Sequence, residues 1–329
     1  MSIIITGSFA FDYIMVFPGH FKEHILPDQI ENLSVSFLVD EMRKVRGGCA
    51  PNIAYTLALL GERPRLMATA GCDAGEYRDW LEKHGVDTSL LRIYDDCFTA
   101  SFFVSTDLDQ NQIASFYTGA MARARELSFH DLDAEDVEIT IISPNDPQAM
   151  RKYARECREL GIPYIYDPSQ QVARVEGEEL VEGLTGAKIL IVNEYEYGIL
   201  CKKTGLSEAQ LMERVPTIIV TKGEKGSTIT TTESDAGGVQ VFDIPPAKVT
   251  TTFDPTGVGD AYRAGLIKGL VRGYPWPVTG RVASVAAAYV LESPGPQPEP
   301  YTREQFVVRY RQNFGDAPEL ADLLEADSQ

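Results

Sequence analysis

Val137-Glu-Ile-Thr-Ile-Ile-Ser143, the helical pattern of 147–160 closed by Gly161, and Pro163-Tyr-Ile-Tyr-Asp167 read as strand, helix, strand. The beat continues with a strand at 189–193, a helix at 194–204 and a strand at 217–221. A hairpin at 226–231 and 239–243 follows, then a long helix after Asp260 and another at 281–291. Upstream, 2–6 is an apolar run ending at Gly7, 49–60 is helical up to Gly61, 66–70 is strand-like, and 77–84 is helical up to Gly85. Strands alternating with helices predict an α/β fold with a doubly wound, mostly parallel sheet covered on both faces. Ligands of such sheets gather at the carboxyl ends of the strands.

Two segments break the beat. Residues 9–45 and 97–120 carry short apolar stretches, including strands at 101–106 and 112–117 joined by a polar turn, without a helix of ordinary length between them. They are expected to form a small β lid inserted into a single domain spanning 1–329. Strand edges exposed there can pair between subunits, which leaves a homodimer through the lid open. The run Pro294-Gly-Pro-Gln-Pro-Glu-Pro300 reads as a stiff connector.

The formal charge of −18 over 329 residues argues against a broad nucleic-acid surface, which needs clustered Lys and Arg. It leaves room for a small anion pocket. Five cysteines at 49, 72, 97, 157 and 201 form no CxxC pair, and a reduced, cytoplasmic protein is expected. The first residues lack the basic and apolar regions of a signal peptide, and no run approaches the ~20 apolar residues of a membrane span.

The chemistry concentrates in Asp254-Pro-Thr-Gly-Val-Gly-Asp260, which opens a helical pattern. N–H groups at a helix start lack internal partners and sit at the positive end of the helix dipole, a ready cradle for an anion. Gly257, Val258 and Gly259 would supply that cradle. Asp260 is suited to take the proton of an attacking hydroxyl. A loop with an aspartate N-cap accounts for the same letters. There is no GxxxxGK[ST] and no HRD or DFG element, so phosphate handling by a P-loop or a protein-kinase site is excluded.

Four further sites follow the same logic. Gly47-Gly48 before a helix permits close backbone contact with a ligand, and Asn52 could reach a hydroxyl; a tight turn is equally consistent. Asp12 could accept from a vicinal diol or be a turn residue. Asn193 and Glu196 stand at a strand-to-helix junction, where phosphate and Mg²⁺ gather, or where an N-cap would stand. Thr221, Gly223 and Gly226 suit the approach of a nucleotide, or a plain hairpin.

Together and in this order, these segments resemble the ribokinase family, also called PfkB carbohydrate kinases. Gly47-Gly48 with Asn52 is similar to the family's first signature, Asp254–Asp260 to its second and Asn193–Glu196 to its NxxE motif. Val258 stands in place of the usual alanine and Tyr262 in place of a common phenylalanine. Within the family the chain is most similar to adenosine kinases of actinobacterial type, through Phe17-Pro-Gly-His-Phe21, Ser34–Asp40, Tyr77-Arg-Asp-Trp80, Gln112–Tyr117 and Asp167-Pro-Ser-Gln-Gln171. The resemblance implies a Rossmann-like domain with a β lid and transfer of the ATP γ-phosphate to the 5′-hydroxyl of adenosine. It implies Mg²⁺, held by Glu196, and allows a monovalent cation such as K⁺ near the second signature. Ser8, Asp12, Gly48 and Asn52 would hold the ribose. Ser36, Phe102, Phe116 and Gln171 would lie near the base, with Gln170 beside them, and Asn193, Thr221, Gly223, Gly226 and Thr256 would face the nucleotide.

Flat aromatic faces at Phe102 and Phe116 suit a purine, although the same rings could pack a lid core. A ribose or fructose kinase would share every phosphate-handling motif, as would a kinase for a broader range of nucleosides. A non-catalytic nucleotide-binding regulator on this fold could dispense with the base or the glycine cradle; this chain keeps Asp260, Gly257 and Gly259.

Overall fold

The computed structural model describes residues 1–25, 34–233 and 237–324. Residues 26–33 of the expected lid segment and the acidic end from 325 lie outside the described residues.

Ile3, Ile5, Ile189 and Ile191 point into one core with Ile53, Tyr55 and Leu266, while Ile4, Leu190 and Val192 point into another with Tyr153, Leu180 and Leu200. Successive residues of a strand face opposite sides, so a strand buried on both faces carries no polar alternation. The sheet that results has eight strands, in the order Gln240–Ile244, Ser227–Thr231, Thr217–Thr221, Ile189–Asn193, Tyr164–Tyr166, Val137–Ile142, Ser2–Thr6 and Arg65–Met67. The last six run parallel, and the first two fold back as an antiparallel hairpin. From Ser2–Thr6 the chain goes first to Arg65–Met67 on one side and later to Val137–Ile142 on the other. The strand order therefore reverses beside Ser2–Thr6, and that switch point is where such sheets open a crevice.

Residues 9–45 and 97–120 each contribute two strands to a separate sheet, ordered Glu41–Gly47, Ala10–Val16, Ala100–Thr106, Gln112–Tyr117. Asp12 lies opposite Phe102, and Phe102 opposite Phe116. Residues directly opposite share a face, so one carboxylate and two rings form a row across this sheet.

Some elements differ from the sequence reading. The run 66–70 splits: Arg65–Met67 joins the main sheet, while Thr69–Gly71 pairs with Arg92–Tyr94. The helix expected at 281–291 starts at Trp276, with a proline in its first turn, where a missing N–H costs nothing. The helix after the second signature starts at Val258, so Asp260 lies inside its first turn. Helices Gly177–Leu184 and Arg303–Phe314 were not anticipated. Thr302 and Gln305 form a capping box at the second of these, a signal present in the sequence. No helix among the described residues is long and apolar enough to cross a membrane.

Candidate active site

The first strand ends at Thr6, and its continuation, Ser8, is tied to two neighbours. Its N–H donates to the Pro144 carbonyl at 2.8 Å, and its Oγ accepts from the Cys49 N–H at 3.2 Å. The helix Cys49–Leu59 thereby starts at the switch point, with Gly48 at its N-cap in the left-handed region, φ +91°. A second helix, Val258–Val271, starts nearby behind another left-handed glycine, Gly257, φ +80°. Between them lies a cleft of about 320 Å³.

Ser8, Asp12, Gly48 and Asn52 line the cleft, together with Phe102 and Phe116, Gln170 and Gln171, and Thr256 and Asp260. Cys49, Met121, Asn145 and Arg174 also line it and were not singled out from sequence. Asn145 follows the strand Val137–Ile142 at the switch point, which is the signal that could have found it.

Asp260 is held by a relay. Its Oδ2 accepts from Asn52 Nδ2 at 2.9 Å, Asn52 Oδ1 accepts from Gln297 Nε2 at 3.1 Å, and the same Nε2 donates to the Tyr77 hydroxyl. Tyr77 in turn donates to the Gly47 carbonyl at 3.1 Å. Gln297 thus fixes which end of the Asn52 amide faces the carboxylate. The proline-rich connector is part of the site: a Cβ on Gly257 would stand 2.5 Å from Pro296 Cβ, and the Pro298 carbonyl accepts from the Tyr55 hydroxyl. Sequence offers no sign of this, since Gln297 is remote from Asn52 along the chain.

Burial pushes the Asp260 carboxyl above the ordinary carboxylate range. The Arg263 guanidinium and hydrogen bonds from Asn52 and Cys49 oppose the rise, and Asp12 adds to it. Asp12 is pushed up to about 6, mainly by burial and then by Asp254. Burial and the neighbouring Asp260 and Asp167 carboxylates push the Cys49 thiol well up, so it stays protonated.

The unbonded amides expected at this helix start are present with one change. The Val258 N–H turns back to the Pro255 carbonyl at 3.3 Å, whereas the Gly257, Gly259 and Asp260 N–H groups have no acceptor among the described residues. Thr256 N–H donates to Asp254 Oδ1 at 2.8 Å, which shapes the turn into the helix.

The remaining residues lie outside the cleft. Ser36 is exposed, in a loop anchored elsewhere by Phe37 against Phe17 and Phe21. Gly47 is buried, and its missing side chain makes room for Asp12, whose Oδ2 would stand 2.6 Å from a Cβ there. Asn193 and Glu196 form a reciprocal capping box at 2.8 Å each way. Thr221 lies beside Asn193 in register, and Gly223 and Gly226 turn the hairpin that follows. A Cβ on Gly226 would meet the Ile244 carbonyl at 2.0 Å, so close strand packing already requires that glycine. These five residues sit at the same carboxyl edge of the sheet as the cleft, two and three strands along.

A carboxylate beside unbonded amides can take a hydroxyl proton while the amides hold an anion, which is what phosphoryl transfer to an alcohol requires. On this ribokinase-like fold, that arrangement defines a phosphotransferase with an alcohol group as acceptor. Residues 8–302 match the pfkB family of carbohydrate kinases, and the chain belongs to that family. It is 29% identical over 321 residues to a nucleoside kinase of Methanothermobacter thermautotrophicus, covering 97% of this chain and 98% of the relative. The structure of Burkholderia thailandensis nucleoside kinase in complex with inosine superposes with a TM-score of 0.83 at 37% identity, covering 96% of this chain and 99% of that one. The nucleoside kinase of Methanocaldococcus jannaschii gives the same TM-score at 29% identity, over 95% and 99% of the two chains.

Proposed function

We propose that this kinase transfers the γ-phosphoryl group of ATP to the 5′-hydroxyl of a nucleoside, with adenosine as its preferred acceptor. The observation that carries the nucleoside reading is the part of the cleft lining that the phosphate machinery does not use. Phe102 and Phe116 form an aromatic row there, and two buried amide atoms, Asn145 Nδ2 and Gln171 Oε1, have no partner. A buried donor or acceptor without a partner costs about 1–3 kcal/mol, and the edge of a base supplies the missing acceptor and donor. A simple sugar would use the phosphate machinery and leave this lining unmatched.

In this reading Asp12 and Ser8 hold the ribose, and Asp260 accepts the 5′-hydroxyl proton. The Gly257 and Gly259 amides stabilise charge on the transferring group. The four-stranded sheet acts as a lid that excludes water, and its outer strands, Glu41–Gly47 and Gln112–Tyr117, offer the edges through which a second copy would pair. Glu196 fits a hydrated Mg²⁺: its Oε2 caps the helix, while Oε1 makes only a 3.4 Å contact with Ser169 Oγ. Mg²⁺ keeps several waters and needs few protein ligands; when bound it neutralises phosphate charge. Asp254 keeps Oδ2 unbonded among the described residues and would serve a K⁺ ion beside the signature.

ADP release measured with adenosine, inosine, guanosine, cytidine, ribose and fructose tests the assignment. The highest kcat/KM is expected with adenosine. Equal turnover of inosine would favour a broader nucleoside kinase, a reading supported by the inosine complex of the Burkholderia relative. Turnover of the sugars alone would overturn the nucleoside assignment. Stacking of a base on an aromatic side chain is worth ~1–3 kcal/mol, so Phe102→Ala is expected to raise KM for adenosine by roughly 10- to 100-fold.

A further inference from the structure

Arg263 stands one helical turn beyond Asp260 and is 7% exposed. Its Nε and Nη2 clamp the two carboxylate oxygens of Asp167, the second at 2.6 Å. Asp167 follows the strand Tyr164–Tyr166 and is itself buried. Burial works against the charge on Arg263, and the Asp167 carboxylate outweighs it, so the guanidinium stays protonated. The third nitrogen, Nη1, has no hydrogen-bond partner among the described residues. It lies against Gly259, where a Cβ would stand only 2.7 Å away.

Stability does not account for this arrangement. A buried ion pair is commonly replaceable by apolar side chains with no loss of stability, and desolvation works against the charge of the guanidinium. The placement of Nη1 accounts for it better. Gly259 carries one of the unbonded amides of the helix start, so Nη1 and the anion cradle converge. Carboxylates crowd the region: Asp167, Asp260 and Glu196 act on Arg263, Asp12 acts on Asp260, and Asp254 acts on Asp12. A polyphosphate entering such a field needs a fixed cation.

We propose that Arg263 is a catalytic residue of phosphoryl transfer, with Nη1 donating to an equatorial oxygen of the transferring phosphoryl group while Asp167 holds the guanidinium in place. The inference rests on the kinase reading above. In the step it serves, a bond forms between the 5′-oxygen and the γ-phosphorus. The bond from that phosphorus to the β–γ bridging oxygen breaks, and ADP leaves with the electron pair. The hydroxyl proton goes to Asp260, and Arg263 neither gains nor loses one.

The test uses Arg263→Lys and the paired Asp167→Asn/Arg263→Gln chain. The pair keeps a neutral hydrogen-bonded contact in the core, so folding does not depend on an orphaned carboxylate. Removal of one preorganised donor costs ~10²- to 10³-fold, and lysine cannot reproduce a bidentate clamp while presenting a third donor. Both variants are expected to lose kcat by about 100-fold or more, with KM for adenosine and ATP nearly unchanged. A readout beyond turnover is the thermal shift given by ADP with aluminium fluoride, a mimic of the transferring group. It should exceed the shift with ADP alone in the native chain and match it in both variants. Native kcat in the paired variant, or an undiminished aluminium fluoride shift, overturns the inference. So does a loss of turnover matched by an equal loss of ADP binding. A native chain that phosphorylates none of the six acceptors instead sinks the function on which it rests.

Discussion

Asp260→Asn is expected to lower kcat by ~100-fold or more, within the ~10²- to 10⁴-fold range of general-base contributions, while the melting temperature stays where it was. Asparagine keeps an oxygen that can accept from Asn52 Nδ2, so the relay through Gln297 and Tyr77 survives. It also removes a buried carboxylate that burial and Asp12 disfavour, so the fold has nothing to lose. Only the proton acceptor goes. Turnover near the native value in this variant would remove Asp260 from the mechanism.

The pH dependence carries the same signature. In its proposed role as base Asp260 works deprotonated, and its carboxyl is raised above the ordinary range. In the proposed ribose contact Asp12 accepts best when ionised, and its carboxyl is raised to about 6. The native kcat/KM should therefore rise with pH through about 6 as Asp12 ionises, with Asp260 adding an acid limb of its own. The residual kcat of Asp260→Asn should lose its acid limb, whereas the Asp12 limb stays in kcat/KM. Stability responds with the opposite sign. The folded Asp12 carboxyl binds its proton more tightly than the unfolded chain does, so its contribution is lost as pH rises from 3.8 to about 6.

Much of this was legible in the letters. The strand–helix beat from 137 to 221 could be read because strands buried on both faces are nearly pure apolar runs, and Gly161 and Gly205 stop the intervening helices in left-handed caps. The cleft residues were legible through turn chemistry: glycines before helix starts, with Asp260 and Asn52 at fixed offsets. Long-range partners were not. Gln297 reaches Asn52, and Arg263 reaches Asp167, through packing that joins segments far apart in the chain. Neither residue carries a local pattern that marks it. Gly226 shows the converse: a glycine that suits a nucleotide is already required by the carbonyl of Ile244.

Gly48→Ala should damage fold and catalysis together. The residue sits at φ +91°, and a Cβ there would lie 2.5 Å from the Ser8 carbonyl oxygen and 2.7 Å from the Ala10 nitrogen. Both contacts are backbone and cannot rotate away. Positive φ with extended ψ is sparsely populated by L-residues and costs ~1–3 kcal/mol, and forcing atoms into a packed interior costs ~1–3 kcal/mol more. A fall in melting temperature of roughly 3–9 °C is expected for a chain of this size. The only relief open to the backbone is to slide the helix Cys49–Leu59 away from Ser8. That motion carries Asn52 with it and breaks its bond to Asp260, so turnover should fall even at temperatures where the variant is fully folded. Calorimetry and ADP release on the same preparation separate the two losses. A variant that melts at the native temperature would show that the tight approach of Gly48 to the Ser8–Ala10 backbone is not required. One that melts lower but turns over normally would uncouple this helix from the base.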